Sequence, residues 1–353
     1  MGYKIAIMGT GAVGGYAGGY MAQAGEDVTF IDPWPEHVET MRTKGLRISH
    51  IRDVPEFTVK VRALHVTDAQ QLAKEKPIDI AVVSMKSYDT RWAATLISQY
   101  LAPNGFIVSL QNCMNEETIA NVVGWGRIVG CIASSITVEL CEPGHIRRAA
   151  GKSGTRHTVF RAGEVHGRIT DRAQEVARLV GYADSSMTTT NLWGERWSKL
   201  VTNVMGNGMS ASTGLITKDI MRNDTLRHFT ARLGSEAIRV GQAMGYQLEE
   251  IHHLDPELIA RAGEGDASAI RDYDSHRLAE VEKGGGEHRP SMGQDMVKGR
   301  RTEIEFLNGM VVTRGEEIGI ATPANAALTQ IVKRVERGEL QPDPRHIVDL
   351  RLN

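Results

Sequence analysis

Residues 9–14 read Gly-Thr-Gly-Ala-Val-Gly, directly after the apolar run Lys4-Ile-Ala-Ile-Met8 and at the start of a helical pattern from Ala12 to Ala24 that closes at Gly25. Three glycines at this spacing between a strand and a helix each have a job. Gly9 permits a tight turn, Gly11 lets the main chain approach a pyrophosphate, and Gly14 lets the helix lie against the sheet. Thr10, Ala12 and Val13 complete the loop, and the helix N-terminus offers unpaired N–H groups to the anion. A structural glycine turn is the bland alternative, but the position at the head of a βαβ pattern favours dinucleotide binding.

Further strands are expected at Val28–Ile31, Ile78–Val83, Gly105–Leu110 and Arg127–Ala133, with helical stretches such as Asp89–Tyr100 between them. That alternation predicts an α/β domain with a parallel sheet covered on both faces. From Val138 to Gly167 the glycines and β-branched residues predict antiparallel strands that close this first, Rossmann-type domain, residues 1–190. A mostly α-helical domain, 191–353, is expected to follow. Its helices are Leu192–Met209, Leu226–Met244, Pro256–Ala262, Ala267–Val281, Met292–Ile318 and Pro323–Val335, the last with Thr322 as N-cap and Pro323 at the first helical position. Residues 282–287 read as a flexible loop and the tail after Gly338 as peripheral.

Asp32 stands at the end of the second strand, where a carboxylate accepts hydrogen bonds from ribose hydroxyls and repels a 2′-phosphate. Its plain alternative is a cap on the following turn. Pro33 and Trp34 supply no arginine, so the coenzyme is NAD or NADP with NAD favoured, Arg42 and Lys44 being the cations that could still reach a phosphate.

Lys plus Arg number 41 and Asp plus Glu 43 in 353 residues, a net charge of −2. A nucleic-acid binder normally needs a basic surface, so that class is excluded. No apolar run approaches the roughly 18 residues of a membrane helix. The N-terminus lacks a signal-peptide pattern, and Ala6 breaks the myristoylation motif that Met1-Gly2 would open. Cys113, Cys131 and Cys141 are scattered and read as small buried hydrophobes in a reducing compartment, the cytoplasm. His252-His253 resembles a metal pair, yet adjacent residues on a helix point apart and no partner stands at ligand spacing, so no metal is expected.

The richest chemistry lies in Trp197-Ser-Lys-Leu-Val-Thr-Asn-Val-Met-Gly-Asn207, where Lys199, Asn203 and Asn207 fall at i, i+4 and i+8 on one helix face. A lysine amid Leu200, Val201, Val204 and Met205 loses hydration, which lowers its pKa and suits a general acid. Two carboxamides beside it can hold a carbonyl and a hydroxyl. A snorkelling surface lysine with two surface asparagines is the competing reading.

Together with the glycine turn, this segment resembles the ketopantoate reductase (2-dehydropantoate 2-reductase) family. The likeness extends to Ser84-Met-Lys86, Leu110-Gln-Asn112, Ser291-Met-x-Gln-Asp295, Thr302-Glu-Ile-x-x-x-Asn-Gly309 and Gly319-Ile-x-x-Pro323. It implies a Rossmann domain and a helical domain with the active site in the cleft between them. The implied reaction is reduction of a 2-oxo acid, 2-dehydropantoate or a close analogue, by hydride from a nicotinamide. It implies Lys199 as general acid; Asn203, Asn207, Ser291 and Asn112 at the substrate; and Lys86, Asn112 and Glu303 at the coenzyme. Each has a plainer alternative: Ser291 with Gln294 forms a capping box, Glu303 sits on a solvated helix face, and Lys86 is a surface lysine. Departures from the family are Pro33 where NADP-using relatives carry an arginine, and a loop from Gly208 to Gly214 without a further asparagine.

Three activities are thus in play: a 2-oxo acid reductase, an NAD-dependent 2-hydroxy acid dehydrogenase on the same scaffold, and a coenzyme sensor without chemistry, against which the lysine stripe argues. The expected partners are a small 2-oxo or 2-hydroxy acid and a second copy of the chain, since long apolar helices in the second domain favour a homodimer.

Overall fold

A computed structural model describes residues 2–51, 54–134, 136–149, 151–152, 157–287 and 289–352. The chain forms two compact units, Met1–Leu192 and Trp193–Asn353. In the first, the strands are β1 (Lys4–Met8), β2 (Asp27–Asp32), β3 (Leu46–His50), β4 (Phe57–Val59), β5 (Arg62–His65), β6 (Ile78–Val83), β7 (Leu101–Ser109), β8 (Ile128–Ala133), β9 (Val138–Glu142), β10 (His145–Arg148), β11 (Phe160–Glu164) and β12 (Ser186–Thr189). The helices are α1 (Ala12–Gln23), α2 (Pro35–Lys44), α3 (Thr90–Ser98), α4 (Glu116–Val123) and α5 (Asp171–Gly181).

The main sheet runs β12-β11-β8-β7-β6-β1-β2-β5. Its central strands are parallel, whereas β11 lies antiparallel to β8. The order reverses beside β1, whose neighbours are β2 and β6, and ligands bind at such a switch point beyond the carboxyl ends of the strands. Burial explains the parallel core: β1 is buried along its whole length, so it reads as a continuous apolar run rather than an alternation. At its far end α1 closes as expected, with Gly25 left-handed at φ 91° and Glu26 N–H donating to Met21 C=O.

The segment after β8 departs from expectation. The hairpin β9–β10 does not extend the main sheet; β10 pairs in parallel with β3 to make a second sheet, β4-β3-β10-β9. Only β11 returns to close the main sheet. The short strands β3, β4, β5 and β12 carry too few apolar residues to announce themselves in sequence and are recruited by their partners. Arg148 on β10, fully buried, ion-pairs with Asp184 at 2.5 Å and donates to Tyr16 on α1, tying the small sheet to the main one. Cys113 and Cys131 are buried, but Cys141 is exposed on β9, because the small sheet turns that strand outward.

The second unit contains α6 (Leu192–Thr213), α7 (Thr217–Arg222), α8 (Asp224–Ala243), α9 (Pro256–Glu264), α10 (Ala267–Glu282), α11 (Ser291–Val297), α12 (Asn308–Ile318), α13 (Pro323–Glu336) and α14 (Arg345–Val348). The single helix expected from Met292 to Ile318 is broken. Gly299 turns left-handed at φ 63° and Arg300 N–H caps back to Asp295 C=O, while Thr302 bonds the Glu336 carboxylate on α13. Conversely, α6 runs through Gly208 to Thr213, where a loop was expected, because Gly208 is packed against Leu328 and Ile304. Thr322 occupies the N-cap of α13 without capping it. The cap comes from Glu236 of α8, whose carboxylate accepts from Ala324 N–H at 2.8 Å and Asn325 N–H at 2.9 Å. No helix among the described residues is long and apolar enough to cross a membrane.

Removing one partner of a buried ion pair leaves a charge without compensation and costs about 3–5 kcal/mol. Asp184→Ala is therefore expected to lower the urea midpoint of the first unit markedly, while Arg148→Met combined with Asp184→Leu recovers most of the loss in the same measurement.

Candidate active site

The glycine turn sits at the carboxyl end of β1, and its three glycines are not equivalent. A Cβ on Gly9 would lie 2.5 Å from the Met85 sulfur, and one on Gly14 would lie 2.0 Å from Ser84 Oγ and 2.4 Å from Gly9 C=O. A Cβ on Gly11 would meet nothing within 4 Å. Two glycines are thus required by the protein's own packing, and the third faces open space. Gly11 is the N-cap of α1 and brings no side-chain cap, so the first N–H groups of the helix remain available to an anion. A dinucleotide's pyrophosphate fits this cradle.

The turn is held from several sides. Ser84 Oγ donates to Gly9 C=O at 2.7 Å. Thr10 N–H donates to Asp32 Oδ2 at 2.7 Å, and Asp32 Oδ1 accepts from Trp34 N–H at 2.9 Å. Asp32 therefore caps the turn that follows it and also fastens the glycine loop; each oxygen retains a further lone pair. His37, fully buried on α2, accepts Gly144 N–H at Nδ1, which puts the ring proton on Nε2 for the 2.9 Å bond to Thr10 C=O. Of the two cations weighed against a 2′-phosphate, Arg42 is already bound to Ala63 C=O and the Asp68 carboxylate.

Lys86 follows β6 and Asn112 follows β7, both half-buried, so they share the carboxyl edge of the sheet with the glycine turn and Asp32. Their backbone is braced by residues the sequence reading passed over. Gln111 Nε2 donates to Met85 C=O and to Thr90 Oγ1, both at 2.8 Å, and Asn115 Nδ2 donates to Asn112 C=O and Ser87 Oγ. Polar residues at the end of buried strands were the available signal.

In the second unit, α6 carries Lys199, Asn203 and Asn207. Its register is fixed by Trp197, fully buried, whose Nε1 donates to Ala237 C=O on α8 and leaves no room for a Cβ at Gly241. Lys199 and Asn203 are half-buried and Asn207 buried. Burial pushes the Lys199 ammonium below the ordinary lysine value. Among the described residues no carboxylate or carbonyl is bonded to it, and Asn203 Nδ2 likewise lacks an acceptor.

Ser291 and Glu303 are placed differently from expectation. Ser291 is the exposed first residue of α11, whose N-cap is Pro290. The capping box does not form, because Gln294 Nε2 turns back to Arg289 C=O instead. Gly293 of α11 abuts Ser210 on α6, one turn past Asn207. Glu303 is no solvated helix face: it is buried in the break before α12, beside Ile304, which packs on Gly208 of α6. His252 and His253 are in a tight turn, not on a helix, and no group of metal-ligating side chains occurs among the described residues.

A parallel sheet opening on a nucleotide turn, followed by an all-helical unit with a desolvated lysine, is the architecture of a two-domain dinucleotide-dependent oxidoreductase. The ketopantoate reductase PanE/ApbA family matches residues 5–159, and its C-terminal counterpart matches 191–336. The chain belongs to the ketopantoate reductase family and is an oxidoreductase acting on a CH–OH group with a nicotinamide coenzyme. It is 30% identical to the 2-dehydropantoate 2-reductase of Archaeoglobus fulgidus, over 95% of this chain and 98% of that protein. A PanE/ApbA family ketopantoate reductase from Ralstonia eutropha JMP134 superposes with a TM-score of 0.77 at 28% identity, covering 95% and 99% of the two chains. A D-mandelate dehydrogenase solved with NADH and anilino(oxo)acetate shares the fold at a TM-score of 0.77, 21% identity and the same coverage.

The glycine contacts separate two effects. Gly14→Ala is expected to lower both thermal stability and NADH affinity. Gly11→Ala should leave the unfolding midpoint near wild type while weakening NADH binding about tenfold or more, as read by fluorescence titration.

Proposed function

We propose that the protein reduces a 2-oxo acid, 2-dehydropantoate or a close analogue, to the 2-hydroxy acid, with Lys199 as the general acid. The observation that carries this reading is the desolvated, unpaired ammonium of Lys199 on one helix face with Asn203, whose Nδ2 lacks an acceptor, and Asn207. Charge develops on the carbonyl oxygen as the carbon is reduced, and an ammonium whose pKa is lowered by burial gives up its proton to that oxygen more readily. Asn203 and Asn207 hold the substrate's oxygens without adding charge, and Ser291 donates to its carboxylate. Bound at Gly9–Gly14 with Asp32, Lys86 and Asn112 beside it, the nicotinamide coenzyme would supply the hydride; Glu303 is assigned to the coenzyme as well.

A second reading, NAD-dependent oxidation of another 2-hydroxy acid, is favoured by the coenzyme loop. Asp32 is buried beneath the turn and Arg42 is engaged elsewhere, so of the two cations weighed only the exposed Lys44 is left for a 2′-phosphate. The D-mandelate dehydrogenase of the same fold was solved with NADH. Either activity belongs in the cytoplasm, with the chain as a homodimer.

Lys199→Ala is expected to lower kcat about 10²- to 10⁴-fold while NADH affinity stays near wild type; unchanged turnover would refute the assignment. The reductive rate requires the protonated lysine, so it should fall as pH rises through a pKa displaced below the ordinary value of about 10.4, and that limb should vanish in Lys199→Ala. On coenzyme choice, NADH should give the higher kcat/KM, and Asp32→Ala with Pro33→Arg should move the preference toward NADPH.

A further inference from the structure

The pair Asn308-Gly309, which closes the motif that opens at Thr302, has no part in the chemistry described so far. Asn308 is the first residue of α12, directly after the break that carries Glu303, and it is fully buried. Its Nδ2 donates to Asn325 Oδ1 on α13 at 2.9 Å and to Val204 C=O on α6 at 3.3 Å. Asn325, also fully buried, uses its own Nδ2 on α8, donating to Leu233 C=O at 3.2 Å and to Glu236 Oε2 at 2.8 Å. Glu236 is the same carboxylate that caps α13. Three buried polar side chains from α8, α13 and α12 are thus bonded in series, and the series ends on the backbone of α6.

It ends between the two carboxamides of the lysine stripe. Leu200, Val204 and Gly208 each follow one member of the set Lys199, Asn203 and Asn207, so they form a parallel stripe about 100° round the helix. All three are buried. Asn308 grips this second stripe twice. One hold is the bond to Val204, whose carbonyl has a lone pair beyond the one used by the helix. The other is contact at Gly208, where an added Cβ would lie 3.3 Å from Asn308 Oδ1, 2.9 Å from Leu328 and 3.1 Å from Ile304. Trp197 pins α6 two residues before Lys199, whereas Asn207 stands about 15 Å further along the axis. Asn308 supplies a directional hold at the far end of the stripe. Its Oδ1 is buried without a donor among the described residues, a cost that an apolar residue of similar shape would not incur.

We propose that Asn308 is a positioning residue: its bond to Val204 C=O and its contact at Gly208 set the rotation of α6, and with it the aim of Asn203 and Asn207 at the oxygens of the acid substrate. The inference rests on the reading of the protein as a 2-oxo acid reductase and adds to it a residue that acts through α6. Glu236 and Asn325 hold Asn308 in turn, which places the origin of the alignment on α8 and α13.

The test is steady-state kinetics at saturating NADH with 2-dehydropantoate, or with whichever of a panel of branched 2-oxo acids the wild type reduces fastest. Asn308→Leu keeps the bulk and deletes the donor. It is expected to raise KM for the oxo acid about tenfold or more and to lower kcat as well, since a misplacement of about 1 Å can cost on the order of 10²-fold. Gly208→Ala presses on the same contact from the α6 side with Asn308 intact, and should give the same rise; it decides alone where Asn308→Leu does not fold. Thr230→Val, which removes the buried bond between Thr230 on α8 and Tyr273 on α10, is the control for stability. Its thermal midpoint should fall while KM stays at the wild-type value, because loss of folded enzyme lowers the apparent kcat and not KM. A wild-type KM in folded Asn308→Leu overturns the positioning role, and so does a KM in Thr230→Val that rises as far. Absence of 2-oxo acid turnover in wild type overturns the functional reading and the positioning role with it.

Discussion

Burial lowers the hydration of the Lys199 ammonium, and among the described residues no carboxylate is bonded to it; the helical unit fixes where that ammonium stands. Trp197 anchors the register of α6 on α8, Ser198 anchors the turn carrying His252, and Gly208 admits Ile304 and so brings Glu303 to the same helix. A salt bridge to Lys199 would hold it charged and make it a poor proton donor. In the proposed reaction the oxygen that gains charge during reduction would bring the negative charge that Lys199 lacks.

In the first unit the corresponding constraint is geometric. The glycine turn is bonded from β2 through Asp32, from α2 through His37 and from the strand end after β6 through Ser84. A loop held at so many points pays its ordering entropy on folding rather than on binding, so that coenzyme meets N–H groups already in place. His37 extends the connection to the small sheet through Gly144, which gives the hairpin β9–β10 a part in positioning the loop. Asp32 thus braces the turn with both of its oxygens, one on Thr10 N–H and one on Trp34 N–H.

Much of the fold was legible because its signals are local. The strand–glycine–helix opening and the apolar runs of β6 and β8 need no partner to be recognised, and the i, i+4, i+8 stripe on α6 can be read by counting. The broken helix between Met292 and Ile318 was not legible, since its pattern stays helical and only Gly299 and the bond from Thr302 to Glu336 interrupt it. The cap on α13 escaped for the same reason: Glu236 lies 88 residues from Ala324, and no local rule links them. At the candidate site the bracing roles of Ser84, Gln111 and Asn115 were not legible, because the bonds to Gly9, Met85, Thr90 and Ser87 join segments distant in sequence. His252 was misjudged by imagining it on a helix.

What the sequence settled by itself is the class of fold, the strand–glycine–helix opening and the face of α6 that carries lysine and asparagines. These depend on the spacing of residues along one strand or one helix, which periodicity fixes before any packing occurs. Tertiary structure alone decided which oxygen of Asp32 holds Thr10, where Glu303 is buried, and that Glu236 caps α13. Desolvation and electrostatic neighbourhood are properties of space rather than of chain order, and they come into being only when distant segments close around the same side chain.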